Sequence, residues 1–176
     1  MPVYFWNDRD GIKYKNAYFS TFPGTWHHGD FIRISEKGSL KIYGRSDSTL
    51  NPGGVRIGTS EIYRVVNSID IIEDSLVIGQ EWEGDQRIIL FVLMINDLPL
   101  EKDIIDQIKF QIKNGCSPRH IPSKIIKVKG IPYTINGKKV EVAVKKVIEG
   151  KTVTNKESLS NPETLNQFRN IPELLN

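Results

Sequence analysis

From Thr59 onward the apolar positions follow two rhythms, one helical and one of strand type. Ile62, Val65, Val66 and Ile69 recur at helical spacing, and Glu61 stands in the first turn, where the helix dipole favours an acid. Two β-rich runs follow, Asp74 to Gln80 and Gln86 to Ile95, joined by the turn Glu83-Gly84-Asp85. A second helix is predicted from about Leu100 to Asn114, with Ile104, Ile105, Ile108 and Ile112 on one face and Gly115 as its C-cap. Ile125-Ile126-Lys127-Val128 reads as a short strand, and Lys139 to Ile148 as a final helix. The order α-β-β-α-β-α predicts an α+β sandwich with helices on one face of a small sheet.

The earlier part of the chain has a different texture. Residues 1–29 carry Tyr4, Phe5, Trp6, Tyr14, Tyr18, Phe19, Phe22 and Trp26 with little periodicity to bury them. Asp30 to Ile34 and Leu40 to Tyr43 alternate with period two around Glu36-Lys37-Gly38, which predicts a β-hairpin. Gly44, Gly53, Gly54 and Gly58 then crowd together around Pro52, a density that implies turns or close backbone approach. The tail, 151–176, is mostly polar. Its Leu159, Leu165, Phe168 and Leu174, with the helix start Asn161-Pro162-Glu163, predict one short docked helix.

Composition narrows the classes. Of the 176 residues 39% are hydrophobic, enough to fold around a core and too many for a disordered chain. The net charge of +3 gives no positive case for a nucleic-acid or acidic-lipid surface. A single cysteine, Cys116, excludes an internal disulfide framework, and with three histidines it excludes the common structural zinc sites. The longest apolar run, Ile88 to Ile95, falls far short of the ~20 residues that span a bilayer, and residues 1–10 lack the features of a secretory signal. The expectation is a soluble, cytoplasmic protein.

Several short patterns carry candidate chemistry. His27-His28 is an adjacent pair whose side chains point to opposite sides of an extended chain, so no metal site is expected there. Gly137-Lys138 lies between a strand and a helix. Its spacing from Gly130, and Lys139 in the hydroxyl position, exclude a Walker loop. A lysine on such a turn either reaches into a partner's site or is simply solvated. Asp30, at a strand start, can accept both hydroxyls of a ribose, and Arg45 can serve a sugar or a phosphate through its planar fork. Hairpin ends also carry charge for solubility alone.

Taken in order, Gly29-Asp30, Gly44-Arg45-x-Asp47, Gly54-x-Arg56-Ile57-x-x-x-Glu61-Ile62 and Pro132-x-Thr134-x-x-Gly137-Lys138 make the sequence similar to the C-terminal part of adenylate-forming acyl-CoA synthetases. The resemblance covers nearly the whole chain. Phe22-Pro23-Gly24-x-Trp26-x-His28-Gly29-Asp30, Leu50 to Arg56, Asn136 to Val142 and the extended tail look most like the acetoacetate-activating branch. The acetyl- and propionyl-activating branches are similar, but usually carry a Ser-Gly-Lys and an arginine-rich helix where this chain has Asn136 and Val140-Glu141-Val142.

The resemblance implies residues 1–46 as the end of a large AMP-binding domain, 47–150 as a small mobile cap domain, and 151–176 as a polar tail. It implies ATP, Mg2+ and CoA as ligands, with most magnesium ligands elsewhere. By matching position, Lys138 contacts the carboxylate and α-phosphate during adenylation, Asp30 the ribose, Arg45 the ribose or phosphate, and Arg56 the phosphate. Asn51 positions the loop or the phosphate, Asp47 is the hinge, and Gly54 lines the pantetheine tunnel. By charge alone, Lys109, Lys113 and Arg119 are candidates for the CoA 3′-phosphate. No stretch of the chain matches the family's Ser/Thr/Gly-rich phosphate loop or its acyl pocket. The expectation is a fragment that is inert alone and whose partner is the missing N-terminal domain. A stand-alone α+β interaction or RNA-binding module is the rival, which surface aromatics beside lysines on the sheet would favour.

Overall fold

The computed structural model describes residues 2–175. The chain forms two compact units, Met1–Asp30 and Phe31–Asn176, a division that falls ahead of position 47 and leaves most of the hairpin with the later unit.

In the first unit the aromatic-rich segment holds a helix that its sequence does not announce, α1 (Ile12–Tyr18). Gly11 starts it from a left-handed conformation, and the Asp8 carboxylate accepts the N–H groups of Lys13 and Tyr14 at 2.9 and 2.8 Å. Phe5, Tyr14 and Tyr18 meet edge to face, with centroids 5.3–5.7 Å apart, yet no residue of α1 is buried. Ring contacts, not a core, give this unit its shape.

The second unit begins at Phe31, one residue into the strand pair β1 (Asp30–Ile34) and β2 (Leu40–Arg45), turned at Gly38 with φ 79°. Next come α2 (Thr59–Val66), β3 (Ile72–Trp82), β4 (Asp85–Met94), α3 (Lys102–Gly115), β5 (Lys124–Val128) and α4 (Glu141–Ile148). β3 and β4 pair antiparallel through the two-residue turn Glu83-Gly84, both with positive φ, which matches the right-handed twist of the strands. β5 joins β4 in parallel, a pairing that needs a crossover, here supplied by α3.

The helices do not all lie on one face. Val77, Ile88, Leu90, Val92 and Met94 pack with Ile62 and Val66 of α2 and Ile108 and Ile112 of α3. Their strand neighbours Leu76, Ile78, Ile89 and Phe91 point the other way, into a second core with Val144 and Val147 of α4 and with the tail. The expectation of one covered face fails because the run Ile88 to Ile95 is apolar without a break. Such runs belong to strands buried on both sides, whereas alternation marks one wet face.

Two local readings also shift. Gly115 is the last residue of α3 rather than a left-handed cap: a Cβ there would lie 2.7 Å from Val65 Cγ2, so its smallness lets α3 approach α2. The last helix starts at Glu141 because Lys139 is held in an antiparallel bridge with Tyr133. In the tail, the expected helix is a 3-10 turn, Pro162–Phe168, flanked by shorter ones at Lys156–Ser158 and Pro172–Leu174. Leu159, Leu165, Phe168 and Leu174 are buried, and Phe168 meets Phe91 edge to face at 4.9 Å.

The tail is therefore part of the second core. Phe168→Ala should cost about 3–5 kcal/mol, the range for truncating a fully buried phenylalanine. Urea unfolding of the chain checks this, and a loss under about 1 kcal/mol would mean that the tail is docked only loosely.

Candidate functional site

Lys138 stands on the turn that leads from β5 to α4. Gly137 takes φ 69°, the Thr134 N–H donates to Lys138 O at 2.8 Å, and the Lys138 N–H donates to Thr134 Oγ1 at 3.1 Å. The turn is thus closed on itself, and Lys138 is exposed at its end. Lys139, one residue on, faces inward. Its ammonium donates to Asp74 Oδ1 at 2.6 Å and to Ser75 O, and lies 4.4 Å above the Tyr63 ring.

Around Lys139 the sequence places a polar network that its motifs do not signal. Tyr133 Oη donates to Asp74 Oδ2 at 2.6 Å, while Tyr63 Oη donates to Glu141 Oε1 and accepts the Val77 N–H. Burial, and then the charge of Glu141, push the Tyr63 phenol well above its usual range. Burial followed by the Asp74 carboxylate does the same for Tyr133, so both phenols stay protonated donors. Glu141 is itself pushed upward, chiefly by burial, with the charge of Asp47 adding to it. These groups fix the base of the Lys138 turn against β3 and the start of α4. The available signal was local: an acid and a serine, Asp74-Ser75, inside a strand otherwise rich in apolar residues.

Arg45 ends β2 and Asp47 follows it, with Arg45 Nε 3.4 Å from Asp47 Oδ1. A groove of about 320 Å³ brings this pair together with Thr134, Lys139, Glu141 and Lys146. The proposed hinge thus borders the foot of the lysine turn. The Lys41 ammonium reaches Glu61 at 3.2 Å and ties β2 to α2.

The glycine loop lies elsewhere. Leu50 and Ile57 form an antiparallel bridge at its base and belong to the first core, while Ile131, Tyr133 and Val140 around Lys138 pack on the second. Gly54 and Lys138 are therefore carried on opposite faces of the sheet. Gly53 and Gly54 have φ 57° and 74°, and the Gly53 N–H donates to the Asp85 carboxylate at 3.0 Å. The Asn51 N–H donates to Gln86 Oε1 at 2.7 Å, and the Arg56 guanidinium lies 5.8 Å above the Phe31 ring. Arg119 flanks this loop, with Nη1 3.8 Å from where a Cβ on Gly53 would sit. Lys109 and Lys113 are on α3. In the first unit Asp30 lies at the start of β1, its Oδ2 2.5 Å from His28 Nδ1.

No family model matches the chain. It is 52% identical over 176 residues to the acetoacetyl-CoA synthetase of Mus musculus, an alignment covering 99% of this chain and 26% of that protein. To the acetoacetyl-coenzyme A synthetase of Rhizobium meliloti it is 52% identical over 174 residues, 99% of this chain and 27% of the relative. Among solved structures, acetoacetyl-CoA synthetase from Streptomyces lividans superposes with a TM-score of 0.89 at 40% identity, covering all of this chain and 27% of the other. These alignments cover essentially all of this chain, which spans about a quarter of the relatives' length.

Lys139 is no neutral neighbour of Lys138. Its side chain and that of Asp74 are only 18% and 19% exposed, so Lys139→Ala leaves a carboxylate largely desolvated and without its cation. A loss of about 2–4 kcal/mol is expected, slightly below that for a fully buried pair. Urea unfolding of this chain measures it, and a change within experimental scatter would show that the pair is solvated.

Proposed function

We propose that this chain is the C-terminal cap of an ATP-dependent acetoacetate–CoA ligase. In the first half-reaction a carboxylate oxygen of acetoacetate attacks the α-phosphorus of ATP, giving acetoacetyl-AMP and diphosphate. In the second, the sulfur of CoA attacks the acyl carbon and AMP leaves. The observation that carries the reading is the placement of Lys138 and Gly54 on opposite faces of one sheet, each on a turn held by its own contacts. The likeness to acetoacetyl-CoA synthetases supplies the acyl group.

Each residue has a chemical task in this reading. Adenylation brings two anions together, and the Lys138 ammonium neutralises the charge that develops between them. Asp30 accepts the ribose hydroxyls, Arg45 and Arg56 serve the ribose and phosphate, and Asn51 steadies the loop beside them. Gly54 lets pantetheine pass close to backbone, and Arg119, beside that loop, is better placed for a CoA phosphate than Lys109 or Lys113. Mg2+ arrives with ATP. The phosphate loop and the acyl pocket are assigned to the three quarters of the relatives' length that this chain does not span. Water-soluble substrates fit a cytoplasmic setting. The RNA-binding rival loses its platform, because both faces of the three-stranded sheet are buried and Phe91 is in a core.

A chimera tests the reading: this chain replaces the matching segment of the Rhizobium meliloti synthetase. It is expected to make acetoacetyl-CoA and AMP from acetoacetate, ATP and CoA. A folded chimera that binds these substrates without turnover would count against the assignment. In the chimera, Lys138→Ala should slow adenylate formation by about 10²–10³, while thioester formation from supplied acetoacetyl-AMP persists. Equal losses in both halves would make Lys138 structural.

Presenting two faces in turn requires the cap to rotate, and Asp47 is assigned as the pivot. Proline at this position fixes φ near −65° and removes an N–H. Asp47→Pro is expected to leave adenylation near its normal rate while transfer to CoA falls steeply. Stopped-flow measurement of both steps decides, and parallel loss in a folded protein would remove Asp47 from the hinge role.

A further inference from the structure

The arm that delivers Lys138 lies beyond the sheet. β5 ends at Val128, and residues 129–135 run on with no β-strand of the sheet beside them among the described residues. Apart from the Thr134 contacts that close the lysine turn, their paired backbone groups meet the tail. Thr134 and Leu159 form an antiparallel bridge, the Ile135 N–H donates to Ser158 O at 2.9 Å, and the Ser160 N–H donates to Tyr133 O at 2.9 Å.

Two side-chain amides complete the pairing. Asn161 Oδ1 accepts the Tyr133 N–H at 2.9 Å, and its Nδ2 donates to Ile131 O at 2.9 Å. Gln167 Oε1 accepts the Lys129 N–H at 2.7 Å, and its Nε2 donates to Gly130 O at 2.9 Å. A primary amide carries the same acceptor and donor as a peptide unit, so each side chain stands in for one unit of a missing strand.

Asn161 forgoes another use of its side chain. It is the N-cap residue of the 3-10 turn Pro162–Phe168, yet makes no side-chain capping bond there. An asparagine at that position ordinarily satisfies its own turn. Here the amide is spent on the arm, which points to a role outside the tail.

We propose that Asn161 is a positioning residue for Lys138, holding the arm in register so that the ammonium reaches the adenylation site in one geometry. The proposal rests on the functional reading above and adds to it. Lys138 itself closes the turn on Thr134, its carbonyl accepting the Thr134 N–H and its N–H donating to Thr134 Oγ1, so the register of Thr134 sets where the lysine points. Loosening Tyr133 and Thr134 spreads the lysine over many positions, and an ångström of misplacement costs up to about 10² in rate.

The test has two arms. In this chain, Asn161→Ala should raise hydrogen exchange at the Tyr133 amide roughly tenfold, as the loss of its acceptor implies. In the chimera, the same substitution should slow adenylate formation roughly ten- to a hundredfold and leave thioester formation from supplied acetoacetyl-AMP unchanged. Asn161→Asp keeps the oxygen for the Tyr133 N–H and should fall less on both readouts. Glu163→Ala, on the same turn, is the control. Unchanged exchange at Tyr133, unchanged adenylation, parallel loss of both half-reactions, or an Asn161→Asp variant no better than Asn161→Ala would each overturn the positioning role. Lys138→Ala separates the two levels. If it loses adenylation and Asn161→Ala does not, only the positioning role falls; if Lys138→Ala adenylates normally, the functional reading falls with it.

Discussion

A three-stranded sheet that is apolar on both faces must be covered twice, and the rest of the second unit is arranged around that requirement. Phe91 and Ile89 point to one side of β4, Leu90 and Val92 to the other, and all four are fully buried. On the first face α2 and α3 suffice. On the second, the described residues supply α4, eight residues long, against strands of eleven and ten residues. The remaining apolar surface is taken by the tail, through Leu159, Leu165, Phe168 and Leu174. Burying these side chains contributes roughly 1.5–3 kcal/mol each, enough to order a segment that is polar at most other positions. Once the tail is held there, its backbone and amides lie alongside the arm to Lys138. The packing demand of the sheet thus brings a structured edge to the candidate catalytic turn.

The two adjacent lysines show how local geometry divides labour. Successive residues of an extended chain point to opposite sides. Tyr133 and Lys139 are bridged in an antiparallel pair, which turns Lys139 toward Asp74 and leaves Lys138 facing out. Lys139 gains an ion pair, a carbonyl and an aromatic face; Lys138 has none of these among the described residues. One ammonium fastens the turn, and the other remains available for a transient anion.

Much of this was legible in the residues. The α-β-β-α-β-α order emerged from periodicity because the apolar positions of α2 and α3 are strongly one-sided, and the turn Glu83-Gly84 is an explicit hairpin signal. The second covered face is signalled only by the unbroken apolar run Ile88 to Ile95, which lacks the alternation of a one-sided strand and does not say which elements cover it. α1 escaped notice because none of its residues is buried, so no stripe marks it. The network of Asp74, Tyr63, Tyr133 and Glu141 was not legible for a different reason. Its members are far apart in sequence, and only the fold brings a strand, two helices and a loop to one point. The same holds for Asn161, whose motif reads as a helix start while its amide serves residues some thirty positions earlier.

The placement of the glycine loop adds a last constraint. The Gly53-Gly54 turn is held by Asp85 at the tip of the β3–β4 hairpin, and the lysine turn by Asp74 near the start of β3. Both anchors belong to one rigid ladder, so the two turns cannot approach each other without breaking strand pairing. Within a reading that needs both at one active site, the change must occur where the chain is not paired into that ladder. The end of β2 and the residues after it, where Arg45 and Asp47 pair near the surface and each is about half exposed, lie outside that ladder and meet the condition, since the pair is screened by solvent. In that reading the cap would move as a body and keep the geometry of each turn intact, because the contacts that fix the two turns lie within the second unit.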